Sequence, residues 1–386
     1  MTSPVFLARA ARSFAYGALA VVLAQALASR GLSPVAIGAV ITAALLTGAL
    51  LAAMTGRLVN RFGARRTFAA SGIAMIAAAA LLAGNAACIV VACLLGVVSP
   101  GGQDVGPFAA IEQVVLAARD DGATRRLSWY NVAGAAAFAI GALAAAVLPY
   151  GGVLVAYAAA GAVVVLVAWR LPDVRVATTA SEVRRGARFG VVERLASLFA
   201  LDAFAGGFVV QAFVAYWFAL RFGVGADVIG PLLFAGNVLA ALSYLVAERV
   251  AARIGLLRTM VFTHLPSNVL LCLVPFMPTF ALAAAVLLAR FALSQMDVPT
   301  RQAYTLSLVP AHDRARAAGV TAAVRPAAAS VAPILTGVAF QFAGLGLPFV
   351  LAGGIKIVYD LMLLATFRNV SVARPPAPAT AVPGPP

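Results

Sequence analysis

Long apolar stretches alternate with short polar segments along almost the whole chain. The hydrocarbon core of a bilayer is about 30 Å thick, and an α-helix crosses it in about 20 predominantly apolar residues. Apolar windows of that length predict an all-α membrane protein with twelve transmembrane helices. These predicted spans, numbered 1 to 12 in chain order, cover residues 7–29, 35–55, 67–84, 86–117, 127–148, 152–170, 195–220, 228–247, 260–277, 279–309, 318–342 and 346–367.

The spans fall into two sets of six, because the longest polar stretch of the chain separates span 6 from span 7. We therefore predict an N-terminal six-helix bundle over residues 1–170 and a C-terminal six-helix bundle over residues 195–368. Residues 171–194 are predicted to form a cytoplasmic linker. The Pro/Ala-rich residues 369–386 are predicted to form a disordered cytoplasmic tail.

Charged residues are distributed unevenly between the predicted loops. The loops on one side of the membrane contain only Arg30 and Arg221. The loops on the other side contain nearly all the remaining loop arginines. Cation-rich loops stay in the cytoplasm, so both termini are predicted to be cytoplasmic. An alternative at the N-terminus is a cleaved signal peptide, because Arg9 and Arg12 precede an apolar run, but cleavage would leave an odd number of helices.

Composition supports a membrane protein and excludes two other classes. Hydrophobic residues make up 63% of the 386 residues and charged residues 11%, with a mean hydropathy of +0.99, which excludes a soluble enzyme and a disordered chain. The net charge of +15 reflects the cytoplasmic loops, so we predict no nucleic-acid partner. Abundant Ala and Val, and arginines with Lys356 as the single lysine, are typical of a high-GC bacterial codon bias. We therefore expect an integral protein of a bacterial cytoplasmic (inner) membrane.

An internal repeat relates the two halves of the chain. The segment after span 2 reads GRLVNRFGARRT, and the segment after span 8 reads ERVAARIGLLRT. Five of their twelve positions are identical at a constant offset of 192 residues. The matched pairs are Arg57 with Arg249, Arg61 with Arg253, Gly63 with Gly255, Arg66 with Arg258, and Thr67 with Thr259.

Two repeated six-helix halves joined by a long cytoplasmic loop resemble the major facilitator superfamily (MFS) of secondary transporters. In that family, the loop after the second helix contains a glycine, an Asp-Arg pair, a second glycine and two arginines. The matching residues in this sequence are Gly56, Asn60, Arg61, Gly63, Arg65 and Arg66. Asn60 stands where the family has an aspartate, so the acidic contact that the family motif implies is missing.

The motif has a physical interpretation as a cytoplasmic gate. A glycine at Gly63 or Gly255 permits a tight turn, and arginines such as Arg65 and Arg253 can donate to the carbonyl ends of neighbouring helices. These bonds would hold the cytoplasmic side in one state. The alternative is that the arginines only set the orientation of the protein.

Span 10 contains the most informative intramembrane charges. Arg290, Ser294, Asp297 and Arg301 are spaced 4, 3 and 4 residues apart, which predicts that they share one helical face. Charges at membrane depth are expensive and point to a substrate or proton pathway. Asp297 is predicted to pair with Arg301 and with Arg290. The alternative is a structural ion-pair stripe.

Span 4 contains a Gly-rich, Pro-interrupted segment at the corresponding place. Broken helices in matching places of two halves are typical of a transporter binding site. Gln103, Asp104 and Glu112 flank this break, and we predict Asp104 or Glu112 as proton carriers. Alternatively, Glu112 pairs with Arg119 near the cytoplasmic end.

Several other polar side chains fall within the predicted spans. Asp202 and His264 are assigned to the substrate or proton pathway, with a packing role as the alternative for His264. Lys356 and Asp360 are predicted to form a local i, i+4 ion pair, and Arg12 and Arg325 to reach the interface. Four further side chains, predicted to face a cavity or to anchor helix ends, are Tyr130, Asn131, Tyr216 and Trp217.

These observations predict a secondary active transporter that moves a small solute by alternating access, coupled to protons, with efflux favoured by the resemblance. The chain has no phosphate-binding GxxxxGK[ST] motif, so a gradient and not bound ATP would drive it. We expect a monomer in the lipid bilayer, without cofactor or metal. The alternatives are proton-coupled uptake of a small organic anion and, from another class, a non-transporting receptor or a membrane enzyme.

Overall fold

The computed structural model describes residues 3–101, 106–117, 123–172, 189–309 and 314–368. The regular elements in these ranges are all helical, which confirms the predicted all-α class. The helices are α1 (Ser3–Ala28), α2 (Pro34–Phe62), α3 (Ala64–Leu82), α4 (Ala86–Leu94), α5 (Phe108–Ala117), α6 (Ala123–Ala144), α7 (Tyr150–Ala168), α8 (Phe189–Gly207), α9 (Gln211–Phe222), α10 (Ala226–Ile254), α11 (Leu256–Leu273), α12 (Phe280–Ser294), α13 (Asp297–Ser307), α14 (Arg314–Phe342) and α15 (Leu347–Phe367).

In the described part of the chain, ten helical stretches are long and apolar enough to cross a membrane. They coincide with ten of the predicted spans. Predicted span 4 corresponds to α4 and α5, and predicted span 11 corresponds to α14. The count of twelve spans and the bounds of the two domains stay predictions.

The break predicted in span 4 is present, because α4 ends at Leu94 and the described residues 95–101 are not helical. Span 10 is also interrupted, between α12 and α13, although the spacing of its charged residues predicted one continuous helical face. Gly96 and Gly106, at the two sides of the first break, have φ values of +69° and +76°, which glycine adopts without a steric penalty.

Span 7 is also broken, between α8 and α9, although its sequence predicted a continuous helix. The chain turns after Gly207, which packs directly on the main chain of α14. A Cβ atom at Gly207 would lie 2.2 Å from the carbonyl oxygen of Ala329. A glycine is required before the break because any side chain at this position would clash with the main chain of α14.

The sequence repeat is a repeat of structure. Gly63 and Gly255 both have a φ of +86°, and their N–H groups donate to Val59 and Ala251 at the ends of α2 and α10. The hydroxyls of Thr67 and Thr259 each donate to the carbonyl oxygen of the preceding glycine at 2.8 Å. The tight turn predicted at both glycines is therefore confirmed.

The two halves contact each other where α2 meets α14 and where α6 meets α10. The backbones are close, because a Cβ at Gly38 would lie 2.5 Å from the Pro333 oxygen and a Cβ at Gly337 would lie 2.3 Å from the Pro34 oxygen. The hydroxyl of Thr42 accepts a hydrogen bond from the Ile334 N–H at 3.0 Å. These contacts use the start of α2 and the end of α14, so they form a seal at one end of the bundle.

Aromatic side chains fill the core near the seal. Trp217 of α9 is fully buried, with its ring centroid 4.8 Å from Phe349 and 4.9 Å from Phe218. Tyr216 is also buried and packs on Phe340. Trp217 is therefore a packing residue, and the prediction that it faces a cavity or the interface is wrong.

Candidate functional site

Asp202 of α8 is the centre of a buried ionic network in the C-terminal half. Its side chain is 2% exposed. Lys356 of α15 donates to Oδ1, while Arg325 of α14 and Arg301 of α13 donate to Oδ2 at 2.9 Å and 3.4 Å. One carboxylate thus connects three cations from three other helices.

Burial makes this network sensitive to the loss of any member. Ions that leave water lose several kcal/mol of solvation each, and their mutual attraction offsets this only when the pairing is complete. Removing Asp202 would leave Lys356, Arg301 and Arg325 near one another without their shared carboxylate. The arrangement therefore ties the position of α8 to those of α13, α14 and α15.

Asp297 and Arg301 form the predicted i, i+4 pair, with 2.6 Å between Oδ2 and Nη1. Arg301 bridges Asp297 and Asp202. The predicted pair between Asp297 and Arg290 is wrong: in the described ranges, Arg290 has no ion pair. The reason is the break at Gln295 and Met296, which ends α12 before Asp297 and removes the continuous face that the spacing predicted.

His264 of α11 lies between two carboxylates. Its Nδ1 is 2.9 Å from Oδ1 of Asp360, and its Nε2 is 3.8 Å from Oδ1 of Asp202. Asn268, one turn further along α11, donates to Oδ2 of Asp360 at 2.9 Å. The motif THLPSN thus brings the imidazole of His264 and the amide of Asn268 to the carboxylate of Asp360. These contacts connect α11 to α15.

Two predictions about these residues are wrong. Lys356 does not pair with Asp360, because its long side chain extends across to Asp202 on α8 while Asp360 faces α11. Arg325 does not reach out to the interface but contacts Asp202. Helical spacing predicts neighbours within one helix, and it contains no information on which other helix lies opposite.

The N-terminal half contains a second buried ion pair. Arg12 of α1 donates two parallel hydrogen bonds to Glu112 of α5, at 2.7 Å and 2.8 Å, and both side chains have no exposure. The hydroxyl of Tyr130 donates to Glu112 at 2.6 Å, and the Phe108 ring lies 4.3 Å from the Arg12 guanidinium. The prediction that Arg12 reaches the interface is wrong.

The partner of Glu112 also differs from the one predicted near the cytoplasmic end. Glu112 pairs with Arg12, and Arg119 lies outside the described residues. Gln103 and Asp104, assigned with Glu112 to the pathway, likewise lie outside the described residues. The role of Glu112 as a proton carrier stays a prediction.

The two ion pairs occupy corresponding places in the halves with opposite signs. Arg12 and Glu112 are 100 residues apart and join the helices of spans 1 and 4. Asp202 and Arg301 are 99 residues apart and join the helices of spans 7 and 10. Both halves therefore have an ion pair between their first and fourth spans, but the acid and the base are exchanged between the two helices. The sequence repeat in the loops does not indicate this exchange.

The loop motif forms one of the contacts expected of a latch. Arg65 donates from Nε to the carbonyl oxygen of Leu171 at 2.7 Å, just after the end of α7. Gly56 is buried, whereas Asn60 is exposed. The remaining arginines of the two loop segments that were assigned to the gate are exposed: Arg61, Arg66 and Arg253.

Metal ligands do not cluster in the described ranges, where no three His, Cys, Asp or Glu side chains are placed to hold a metal ion.

Comparison with known proteins supports the fold and identifies the family. The sequence profile described as "Major Facilitator Superfamily" matches residues 5–265. The chain belongs to this superfamily. It is an integral membrane protein of a superfamily of secondary transporters.

Solved structures of transporters share the fold at low sequence identity. The nucleoside transporter NupG is 13% identical with a TM-score of 0.72, covering 95% of this chain and 99% of its own. The human organic anion transporter MFSD10 is 15% identical with a TM-score of 0.70, over 94% and 98% of the two chains. A D-xylose-proton symporter is 13% identical with a TM-score of 0.69, over 94% and 96%.

A relative from Saccharomyces cerevisiae, the "Uncharacterized membrane protein YJR124C", is 26% identical over 181 residues. The match covers 47% of this chain and only 40% of the relative.

Proposed function

We propose that this protein is a proton-coupled transporter in which the Asp360 and His264 pair takes up and releases the coupling proton. The observation that supports this proposal most directly is the position of His264 between Asp360 and Asp202, at 2.9 Å and 3.8 Å. Histidine is the side chain whose charge changes most readily near neutral pH.

The three buried acids of the network have different surroundings. Asp202 contacts three cations, and Asp297 contacts Arg301. Asp360 instead accepts bonds from Asn268 and contacts an imidazole, and both groups are uncharged when His264 is neutral. A proton therefore enters the network with the least loss of ion pairing at the Asp360 and His264 pair.

A proton on this pair changes the forces on α8. A charged His264 attracts Asp202 and competes with Lys356, so it weakens the attachment of α8 to α15. The groups that contact His264 are Asp202 of α8, Asn268 of α11, and Tyr359 and Asp360 of α15. Asp202 in turn faces Arg301 of α13, Arg325 of α14 and Lys356 of α15. Arg290 of α12 is within electrostatic reach of Asp202 and of Asp297. The network thus provides a link between protonation and the packing of helices.

Alternating access is supported by the position of the seal. The halves meet at the start of α2 and the end of α14, while α5 packs on α2, α3 and α6, and α13 packs on α10, α11 and α14. With both termini in the cytoplasm, as the loop charges predict, the seal lies on the outer side. The solute path then faces the cytoplasm in this state.

We assign the protein to the bacterial inner membrane, as a monomer, with solute export as the direction. Export rests on the family resemblance alone. The second proposed function is proton-coupled uptake of a small organic anion, which the unpaired cation Arg290 favours. The two differ in the direction of net solute flux under an imposed pH gradient.

Proton flux into liposomes tests the coupling. The protein is reconstituted with a pH-sensitive dye inside the vesicles, and pools of solutes are added with and without a pH gradient. We expect solute-dependent proton flux in the wild type and its loss in Asp360→Asn and His264→Gln, with exchange of labelled solute retained. Asp227→Asn, at an exposed position, serves as the control. Unchanged proton flux in both network variants would refute the coupling site.

A further inference from the structure

Arg290 of α12 is half-buried, and its contacts differ from those of the other cations at membrane depth in the C-terminal half. In the described part of the chain, its guanidinium forms no ion pair or hydrogen bond, and its Nε is buried without a partner. Its guanidinium carbon lies 5.3 Å from the centre of the ring of its neighbour Phe291. An unpaired arginine at membrane depth is costly unless a ligand or water satisfies it.

Arg290 belongs to the same electrostatic site as the network. Its main charged neighbours are Asp202 and Asp297, both beyond the range of an ion pair. Its main-chain oxygen accepts a bond from Ser267 on α11, next to the Asn268 that binds Asp360. The guanidinium is therefore within electrostatic reach of the carboxylates without being neutralised by either.

The charges of the network do not balance when Arg290 is included. Asp202, Asp297 and Asp360 provide three negative charges, and Arg301, Arg325 and Lys356 provide three positive charges. Arg290 adds a fourth positive charge, so the network has an excess of one positive charge when His264 is neutral. A buried site with this excess favours one negative charge from a ligand and disfavours a cation.

We propose that Arg290 binds the anionic group of the transported solute, which makes the substrate a small organic acid with a carboxylate or phosphate group. The inference rests on the proposed transport function and names the substrate class of the same network. A guanidinium matches either group because its N–H donors form two parallel hydrogen bonds with a planar or tetrahedral anion. Solute binding neutralises the network and favours movement of the loaded protein between its two states.

Ligand binding to the purified full-length protein tests the substrate class. Unfolding temperature is measured in detergent with acids and their neutral counterparts: benzoate with benzamide, succinate with succinamide, and phenyl phosphate with phenol. We expect at least one acid to stabilise the wild type while its neutral counterpart does not. Stabilisation by benzoate or succinate would indicate a carboxylate substrate, and stabilisation by phenyl phosphate would indicate a phosphate substrate.

Variants of Arg290 connect the binding to this residue. In Arg290→Gln, we expect the dissociation constant of the stabilising acid to rise about 10- to 100-fold, the range for one charge-assisted interaction. Arg290→Lys keeps the charge without the paired donors and is expected to be intermediate. Arg57→Gln, at an exposed position near the end of α2, is the matched control and is expected to bind like the wild type.

Three results would overturn the inference: stabilisation by neutral members equal to that by acids, unchanged acid affinity in Arg290→Gln, or no stabilisation by any acid. If Arg290→Gln fails to fold, the wild-type comparison and Arg290→Lys still decide the question. His264→Gln separates this inference from the coupling proposal, because it is expected to bind the acid while losing proton flux. Proton flux driven only by neutral solutes would refute the anion site and leave the coupling intact.

Discussion

Arg12 and Glu112 form a two-bond ion pair between α1 and α5, and both side chains are completely buried. The corresponding helices of the other half are joined by Asp202 and Arg301 at 3.4 Å. The first pair is fully enclosed, whereas Asp202 is shared between several cations and a histidine. This difference suggests that the N-terminal pair braces its half and that the C-terminal network is the part that changes during transport.

Replacing Glu112 by Gln separates bracing from proton transport. The change removes the carboxylate that accepts two hydrogen bonds from the buried Arg12, so we expect a loss of about 3–5 kcal/mol of stability. The measurement is unfolding temperature in detergent. The double variant Arg12→Met, Glu112→Leu removes both charges and is expected to recover most of the loss. A Glu112→Gln protein of normal stability that transports solute without protons would instead identify Glu112 as a proton carrier.

The seal between α2 and α14 leaves no space for a side chain at Gly38 or Gly337. A Cβ at these positions would lie 2.5 Å from the Pro333 oxygen and 2.3 Å from the Pro34 oxygen. We therefore expect Gly38→Ala and Gly337→Ala to separate the halves at this end and to raise the population of the opposite state.

Cysteine labelling measures this shift. A cysteine replaces Thr42, which lies in the seal, in a background without the native cysteines, and its reaction with a membrane-impermeant maleimide is followed from the outer side. We expect faster labelling when Gly38 or Gly337 is changed to Ala. Gly354→Ala, where the structure leaves open space for a Cβ, is the matched control. Equal labelling rates in all variants would contradict the role of the seal.

The paired turns at Gly63 and Gly255 predict matched effects. With φ at +86° and ψ at 154° and 159°, both residues lie in a region that is essentially restricted to glycine, where another residue is strained by about 1–3 kcal/mol. Each Gly→Ala change is expected to lower the unfolding temperature by a similar amount. Gly151→Ala in α7, with no atom within 4 Å of the added Cβ, should not lower it. A large effect at only one of the two glycines would show that the turns are not equivalent.

The sequence was sufficient to predict the features that repeat along the chain. Spans follow from the length of apolar runs, and the turns at Gly63 and Gly255 follow from the loop repeat. The Asp297 and Arg301 pair was also predictable because it lies within one helix. Each of these depends on local spacing.

Contacts between helices were not predictable in the same way. Lys356 and Asp360 satisfy the rule for a local pair, yet Lys356 contacts Asp202, and Asp360 contacts His264. The choice depends on which helices pack together and on competition among several buried charges. The spacing of residues within one sequence does not specify which helices pack against each other. Asp202 and His264 were nevertheless recognisable from the sequence as polar residues at membrane depth.

Replacement of Asp202 by Asn tests whether the shared carboxylate is required for the network. The change leaves Lys356, Arg325 and Arg301 mutually repulsive, so we expect lost transport together with a stability loss of about 3–5 kcal/mol. Removing one cation as well, in Asp202→Asn with Lys356→Met, reduces the repulsion and should restore much of the stability without restoring transport. Glu193→Gln, an exposed acid on the same helix, is the control. Stability is followed by thermal unfolding and transport by exchange of labelled solute. Normal transport in Asp202→Asn would show that packing alone holds α8 in place. Recovery of transport in the double variant would show that the charge balance of the network matters more than the carboxylate itself.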